Sequence, residues 1–199
     1  MLFRSRDALV ATDPRSDEVL KPILFGRDIK RYSIQHDGRF VVYLHPDLKV
    51  GDFPAVQDRL KPFRDDLAAR AGKQKWYELQ QPAVALLPTL AGSKIVFPII
   101  APESRFALDD SGFLINDKAF VLPSDSKTLL ACLNSRLGTF FFRNICAKLE
   151  GQGQCFYEFR AQFVERFPFP GPQPALEALV EKILDLRSAL TGAKTEHER

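Results

Sequence analysis

Between residues 94 and 122 the apolar residues come in short runs, each closed by a turn signal, and this spacing restricts the fold more than any other feature of the chain. Lys94 to Ile100 (Lys-Ile-Val-Phe-Pro-Ile-Ile) is a strongly apolar strand. Pro98 has no N–H to give to a ladder, which argues for an edge, a bulge or a strand end. Residues 106–109, 112–116 and 118–122 read as further short strands. Asp109-Asp-Ser-Gly112 has the composition of a hairpin-type turn between two of them, with both acids expected in solvent. Connections this short favour antiparallel pairing. Residues 39–44 form an earlier strand of β-branched and aromatic residues, ended by His45-Pro46-Asp47.

Helical signals flank these strands. Pro54 opens a helix at the position where its missing N–H costs nothing. Val56, Leu60, Phe63 and Leu67 give it one apolar stripe, which Pro62 must kink or split. Arg59, Lys61, Arg64 and Arg70 lie off the stripe, as a solvated face. Ser124-Asp-Ser126 caps a helix expected to run to about Ile145, with Leu129, Leu130, Leu133, Leu137, Phe140 and Phe141 along one face. Lys148 to Phe159 reads as a polar Gly loop followed by an aromatic strand, and Phe167 to Pro172 as a rigid terminator. Pro174 opens a last amphipathic helix whose Leu176, Leu179, Val180, Ile183, Leu186 and Leu190 must pack on the body or on a partner. Gly192 to Arg199 reads as a polar tail. The expected fold class is α+β: short, mostly antiparallel strands packed with helices, plus the C-terminal helix. At 199 residues there is room for one core, or one domain with an appended element. Residues 1–19 read as the end of some preceding element, 20–170 as the domain, and 171–199 as the helix and tail.

The net charge of +3 permits nucleic-acid binding only if the basic groups gather on one face. Residues 1–75 hold 15 Lys and Arg against 11 Asp and Glu, a surplus of four that the remainder reduces by one. Cys132, Cys146 and Cys155 follow no metal or disulfide pattern and read as reduced, buried thiols of a cytosolic protein. No apolar run reaches membrane-spanning length, and the expected compartment is the cytoplasm, with no membrane partner. No phosphate loop, dinucleotide fingerprint or nucleophile elbow appears, so no catalytic, cofactor-binding or metal-binding residue is assigned.

Two segments invite a nucleic-acid reading. Leu20 to Tyr32 leads an apolar run into Gly26, which either takes a positive φ or allows a close approach. Arg27, Lys30, Arg31 and Tyr32 follow, three cations and a ring suited to a phosphate backbone, or else an ordinary surface turn. Lys73, Gln74, Lys75, Trp76 and Tyr77 set cations beside flat rings, a nucleic-acid contact surface, with the alternative that Trp76 anchors the core.

The order of the segments resembles a known family. Leu20 to Tyr32, Lys75-Trp-Tyr-Glu-Leu79, Lys94 to Pro98, Phe113 to Phe120, Leu129 to Leu137 with Leu-Asn-Ser at 133–135, and Phe156 to Pro170 together resemble the TaqI-like C-terminal specificity domain. That domain is the target recognition part of adenine-specific DNA methyltransferases and of fused restriction-modification enzymes. The resemblance implies double-stranded DNA as partner, together with a methyltransferase catalytic domain or subunit that carries S-adenosylmethionine. The chain would then be the non-catalytic specificity part of a site-specific adenine methyltransferase. Arg27, Lys30, Arg31, Lys73 and Lys75 would contact phosphates, and Gln74, Arg105, Asn116, Gln152 and Gln154 would read base edges. The reading of a different class is a truncated specificity domain that keeps its fold, loses DNA and serves as a protein-interaction remnant through the Leu176–Leu190 helix.

Overall fold

A computed structural model describes residues 2–3, 6–151 and 153–197. In chain order the elements are β1 (Leu2–Phe3), α1 (Arg6–Thr12), β2 (Leu20–Leu24), β3 (Ile29–Lys30), β4 (Ser33–Ile34), β5 (Phe40–Val42), α2 (Pro54–Leu60), α3 (Arg64–Ala68), α4 (Leu87–Ala91), β6 (Lys94–Pro98), β7 (Ile100–Ala101), β8 (Ala107–Asp109), β9 (Leu114–Ile115), β10 (Ala119–Leu122), α5 (Lys127–Asn134), α6 (Arg136–Ile145), β11 (Ala147–Gly151), β12 (Gln154–Glu158), α7 (Ala161–Val164) and α8 (Pro174–His197). The class is α+β, with the strands mostly antiparallel. Two compact units divide the chain: Met1–Ile23 with Asp37–Pro88, and Leu24–His36 with Thr89–Arg199.

In the first unit β5 lies between β1 and β2, with Leu2 opposite Val41 and Leu20 opposite Val42. Val19, Leu20, Val42, Leu44, Phe53, Val56 and Leu60 form its core. Pro62 splits the helical stretch as expected: Lys61–Phe63 is a 3-10 turn between α2 and α3. Leu67 still packs against the core, because the tighter turn keeps its side chain on the stripe.

β6 is the centre of the second unit, flanked by β10 and β8. Every residue of β6 is buried. Ile95 and Phe97 face one core cluster, and Val96 faces another built with Leu24, Ile29, Ala107 and Ala119. A strand covered on both faces loses the apolar–polar alternation, which explains its continuous apolar run. Pro98 occupies its last position, opposite Ala119. The larger cluster is a group of phenylalanines: Phe106 lies 5.0 Å from Phe97 and 5.8 Å from Phe142, which in turn stacks on Phe167 at 5.5 Å.

Several sequence expectations change. Asp109 is not in solvent. It faces Lys94 across the β6–β8 ladder, both side chains are fully buried, and Nζ lies 2.5 Å from Oδ2. Lys94 also donates to the Leu90 carbonyl, and the Asp109 carboxylate accepts the Ser111 and Phe113 N–H groups at 2.9 and 3.1 Å. Nor does Asp109–Gly112 close a hairpin. β8 pairs with β6, while the N–H of Asn116, just after β9, donates to the Leu24 carbonyl.

The expected helix to Ile145 is two helices. Ser126 Oγ caps α5 by accepting the Leu129 N–H, and Ser135 Oγ caps α6 by accepting the Gly138 N–H. This second start rotates the apolar register. Leu130, Leu133 and Phe142 are buried, but Leu137 and Phe140 are 70% and 66% exposed. The polar Gly loop at 148–154 is mostly the hairpin β11–β12, with Gly151 opposite Gln154. β11 is exposed along its length, so it lacks the apolar pattern by which strands are recognised.

In α8, Val180 is buried and Leu184 packs against the phenylalanine cluster, but Leu179, Leu186 and Leu190 are exposed. The expected single apolar face is therefore only partly covered. The helix continues to His197 through the segment read as a polar tail. All three cysteines are free; burial pushes the Cys146 thiol up to about 11, helped by the nearby Glu158. Among the described residues no helix is long and apolar enough to cross a membrane.

Lys94→Met would strand the Asp109 carboxylate in the core without its counter-charge. Breaking a buried pair from one side costs about 3–5 kcal/mol. Urea unfolding of the variant is expected to show a loss of that order, and an unchanged midpoint would show that the pair does not hold the β6–β8 ladder.

Candidate nucleic-acid interface

The segment after Leu24 is built around two backbone constraints. Gly26 does not have a positive φ. A Cβ there would lie 2.6 Å from the Lys118 carbonyl oxygen and 3.2 Å from Pro98 Cβ, so glycine is required by close approach. The 3-10 turn Gly26–Asp28 is closed by the buried Asp28 carboxylate, which accepts the Phe25 N–H at 2.7 Å. Tyr32 carries the positive φ (60°), in the turn of the β3–β4 hairpin. Its N–H donates to the Phe106 carbonyl.

This geometry divides the four candidates. Arg27 is 71% exposed, with its guanidinium 5.5 Å over the Phe25 ring. Lys30 is half-buried on β3. Arg31 is turned inward in part: Nη2 donates to the Asn134 carbonyl, and Nη1 lies 3.9 Å from Glu103. Tyr32 packs against the phenylalanine cluster, where burial pushes its phenol upward. Arg105 lies 3.8 Å from the same Glu103. Asn116 accepts the Lys118 N–H at 3.1 Å. Gln154 is exposed on the β11–β12 hairpin beside Gly153, whose φ is +76°. Gln152 lies outside the described residues.

The other group belongs to the first unit. Residues 71–75, 78–82 and Pro46 line an open groove of about 500 Å³. Arg70, expected on a solvated face, braces this loop by donating to the Leu67, Trp76 and Glu78 carbonyls at 2.8–2.9 Å. The Gln74 and Gln80 amides both donate to the Ala71 carbonyl, and Leu79 N–H donates to Leu44. Trp76 packs against the first core and meets Tyr77 edge-on at 5.6 Å, with Arg64 5.5 Å over its ring. The core-anchor reading of Trp76 thus describes part of its surroundings, and Lys73 and Lys75 are exposed on a braced loop.

Glu78 fixes the loop from inside. It is buried, accepts the Lys75 N–H at 2.9 Å and pairs with the Lys75 ammonium at 2.9 Å. Burial pushes its carboxyl up, but the contacts from Lys75 outweigh it and hold the carboxyl below its usual 4.5.

Sequence reasoning missed Glu78 and Arg70 as supports, and missed the outer face of α6. There Arg136, Leu137, Phe140, Arg143 and Asn144 are all exposed. The overlooked signal is Ser135 directly after Leu133-Asn134, a second cap whose new register frees Leu137 and Phe140.

A carboxylate held low in the fold stabilises it above its unfolded value, and that stabilisation is lost as pH falls through the lowered folded value. Trp76, the only tryptophan, reports on the loop directly. Its fluorescence is expected to be flat above pH 4.5 and to change below it, and Glu78→Gln should abolish that change. A transition that survives Glu78→Gln would assign it to another group.

The comparisons accord with this architecture. A solved structure of the Type IIL restriction-modification enzyme MmeI in complex with DNA matches with a TM-score of 0.64 at 17% identity, covering 94% of this chain and 26% of that one. The chain thus spans about a quarter of that protein's length, and the likeness is one of fold. The family model of the TaqI-like C-terminal specificity domain matches residues 21–169. The chain belongs to the family of TaqI-like C-terminal specificity domains.

Proposed function

We propose that the chain is the DNA sequence-recognition module of a restriction-modification system. It would direct site-specific adenine methylation by a methyltransferase domain or subunit supplied from outside residues 1–199, where S-adenosylmethionine would bind. Membership of the specificity-domain family carries this reading. A fold shared with an enzyme solved on DNA supports it.

Sequence recognition needs cations to fix register on phosphates and forked donors to read base edges. Arg27 and Lys30 in the second unit, and Lys73 and Lys75 in the first, would supply phosphate contacts. Arg31, Tyr32, Trp76 and Tyr77 would hold these segments in shape and add edge or stacking contacts. Among the base readers, Gln154 has the most favourable setting. It stands beside the turn of the β11–β12 hairpin, whose tip extends past the pairing with β7 as a two-stranded ribbon, an element that the major groove admits. Gln74, Arg105, Asn116 and Gln152 complete the candidate set.

Combining the chain with its methyltransferase partner should give adenine methylation at one defined duplex sequence. Equal activity and specificity without the chain would overturn the proposal. Arg27→Ala/Lys30→Ala should weaken binding similarly on all sequences, and should lower the slope of log affinity against log salt by about two.

A further inference from the structure

We infer that the outer face of α6 is a second DNA-contacting surface, combining phosphate-binding arginines with an apolar wedge; the inference rests on the DNA-recognition reading above. On a helix of 3.6 residues per turn, Arg136, Phe140, Arg143, Asn144 and Leu137 fall within about 120° of arc. All five are exposed, and no acidic residue shares that arc. The buried side of the helix is carried by Gly138 and Phe142. Gly138 has no room for a side chain, since a Cβ would lie 2.5 Å from the Cys132 and Leu133 carbonyl oxygens. The helix is therefore pinned by its inner side, and the direction in which Arg136 and Phe140 point is fixed.

Two large apolar side chains more than half exposed, one turn apart, call for a partner surface. The charge around them says which. Arg136 and Arg143 lie seven residues apart, about 10 Å along the axis, on either side of Phe140 along the helix. Such a face would repel a basic partner and attract a polyanion. An aromatic ring between two arginines suits a nucleic acid, whose sugars and base steps accept apolar wedges while its phosphates pair with guanidinium groups.

The face is also continuous with the β11–β12 hairpin. The Arg143 guanidinium lies 5.8 Å over the Tyr157 ring. Tyr157 stands opposite Lys148 on the ladder, so both side chains leave the same face of the ribbon. Arg143 and Lys148 thus carry positive charge from helix to hairpin, with Glu150 the one acid that follows Lys148 on the same face of β11.

The test uses anisotropy of a labelled duplex over a salt series, with the chain alone and with its methyltransferase partner. Arg136→Ala should lower the salt slope by about one, and Arg136→Ala/Arg143→Ala by about two. Phe140→Ala and Leu137→Ala should weaken binding several-fold with the slope unchanged. These side chains are exposed, so circular dichroism should match wild type throughout. Wild-type binding with unaltered slope and affinity in every variant overturns this inference alone and assigns the face to a protein partner. Failure of wild type to bind in either form overturns the recognition reading, and this inference falls with it.

Discussion

The second unit turns on one buried side chain, Asn134. Its Nδ2 donates to the Phe106 carbonyl at 2.8 Å and its Oδ1 accepts the Phe106 N–H at 3.0 Å, so both backbone groups of one residue are satisfied by one amide. The Phe106 carbonyl also takes the Tyr32 N–H, and the Asn134 carbonyl takes the Arg31 guanidinium. Four segments meet there: the β3–β4 turn, the approach to β8, the end of α5 and the start of α6. A buried polar network of this kind fixes geometry because each unmade bond is expensive in a low-dielectric interior. The direction of the Arg27–Lys30 segment and the register of α6 both depend on it.

The Lys94–Asp109 pair does a related job at the other end of β6. Buried ion pairs are weak evidence of stability, since desolvation offsets attraction. Here every strong contact is also directional. The ammonium holds the Leu90 carbonyl in the last turn of α4, and the carboxylate holds two N–H groups of the turn after β8. The pair thus shapes the chain on both sides of the ladder, which a pair of aliphatic residues would not do.

This difference also marks what the sequence could and could not convey. β6, the Pro62 break and the Ser126 cap were legible because a local rule governs each: an apolar run, a missing N–H, a short hydroxyl before a helix. The burial of Asp109 was not, because its partner lies fifteen residues away and the Asp-Asp-Ser-Gly composition is equally that of a solvated turn. The exposure of Leu137 and Phe140 was hidden by reading one helical period through Ser135, where a new helix starts in a new phase. β11 escaped for the opposite reason, as an exposed edge strand needs no apolar alternation. The close approach at Gly26 was half legible. Glycine signalled either an unusual φ or a tight contact, and only the Lys118 carbonyl decides between them.

Net charge is a poor guide to a chain of this kind. A surplus of three is small, yet several acids are turned inward. Asp28 closes a turn, Glu78 holds a loop, and Asp109 neutralises a core lysine. Each stabilises the fold at short range, where its field is cancelled by a partner or by backbone N–H groups. The α6 face carries arginines with no acid on the same arc. At physiological salt, fields beyond about 8 Å are screened, so a ligand reads the charges of the face it touches and not the total. A chain that is nearly neutral by composition can therefore present a locally cationic face wherever arginines share an arc with no acid, as they do on α6.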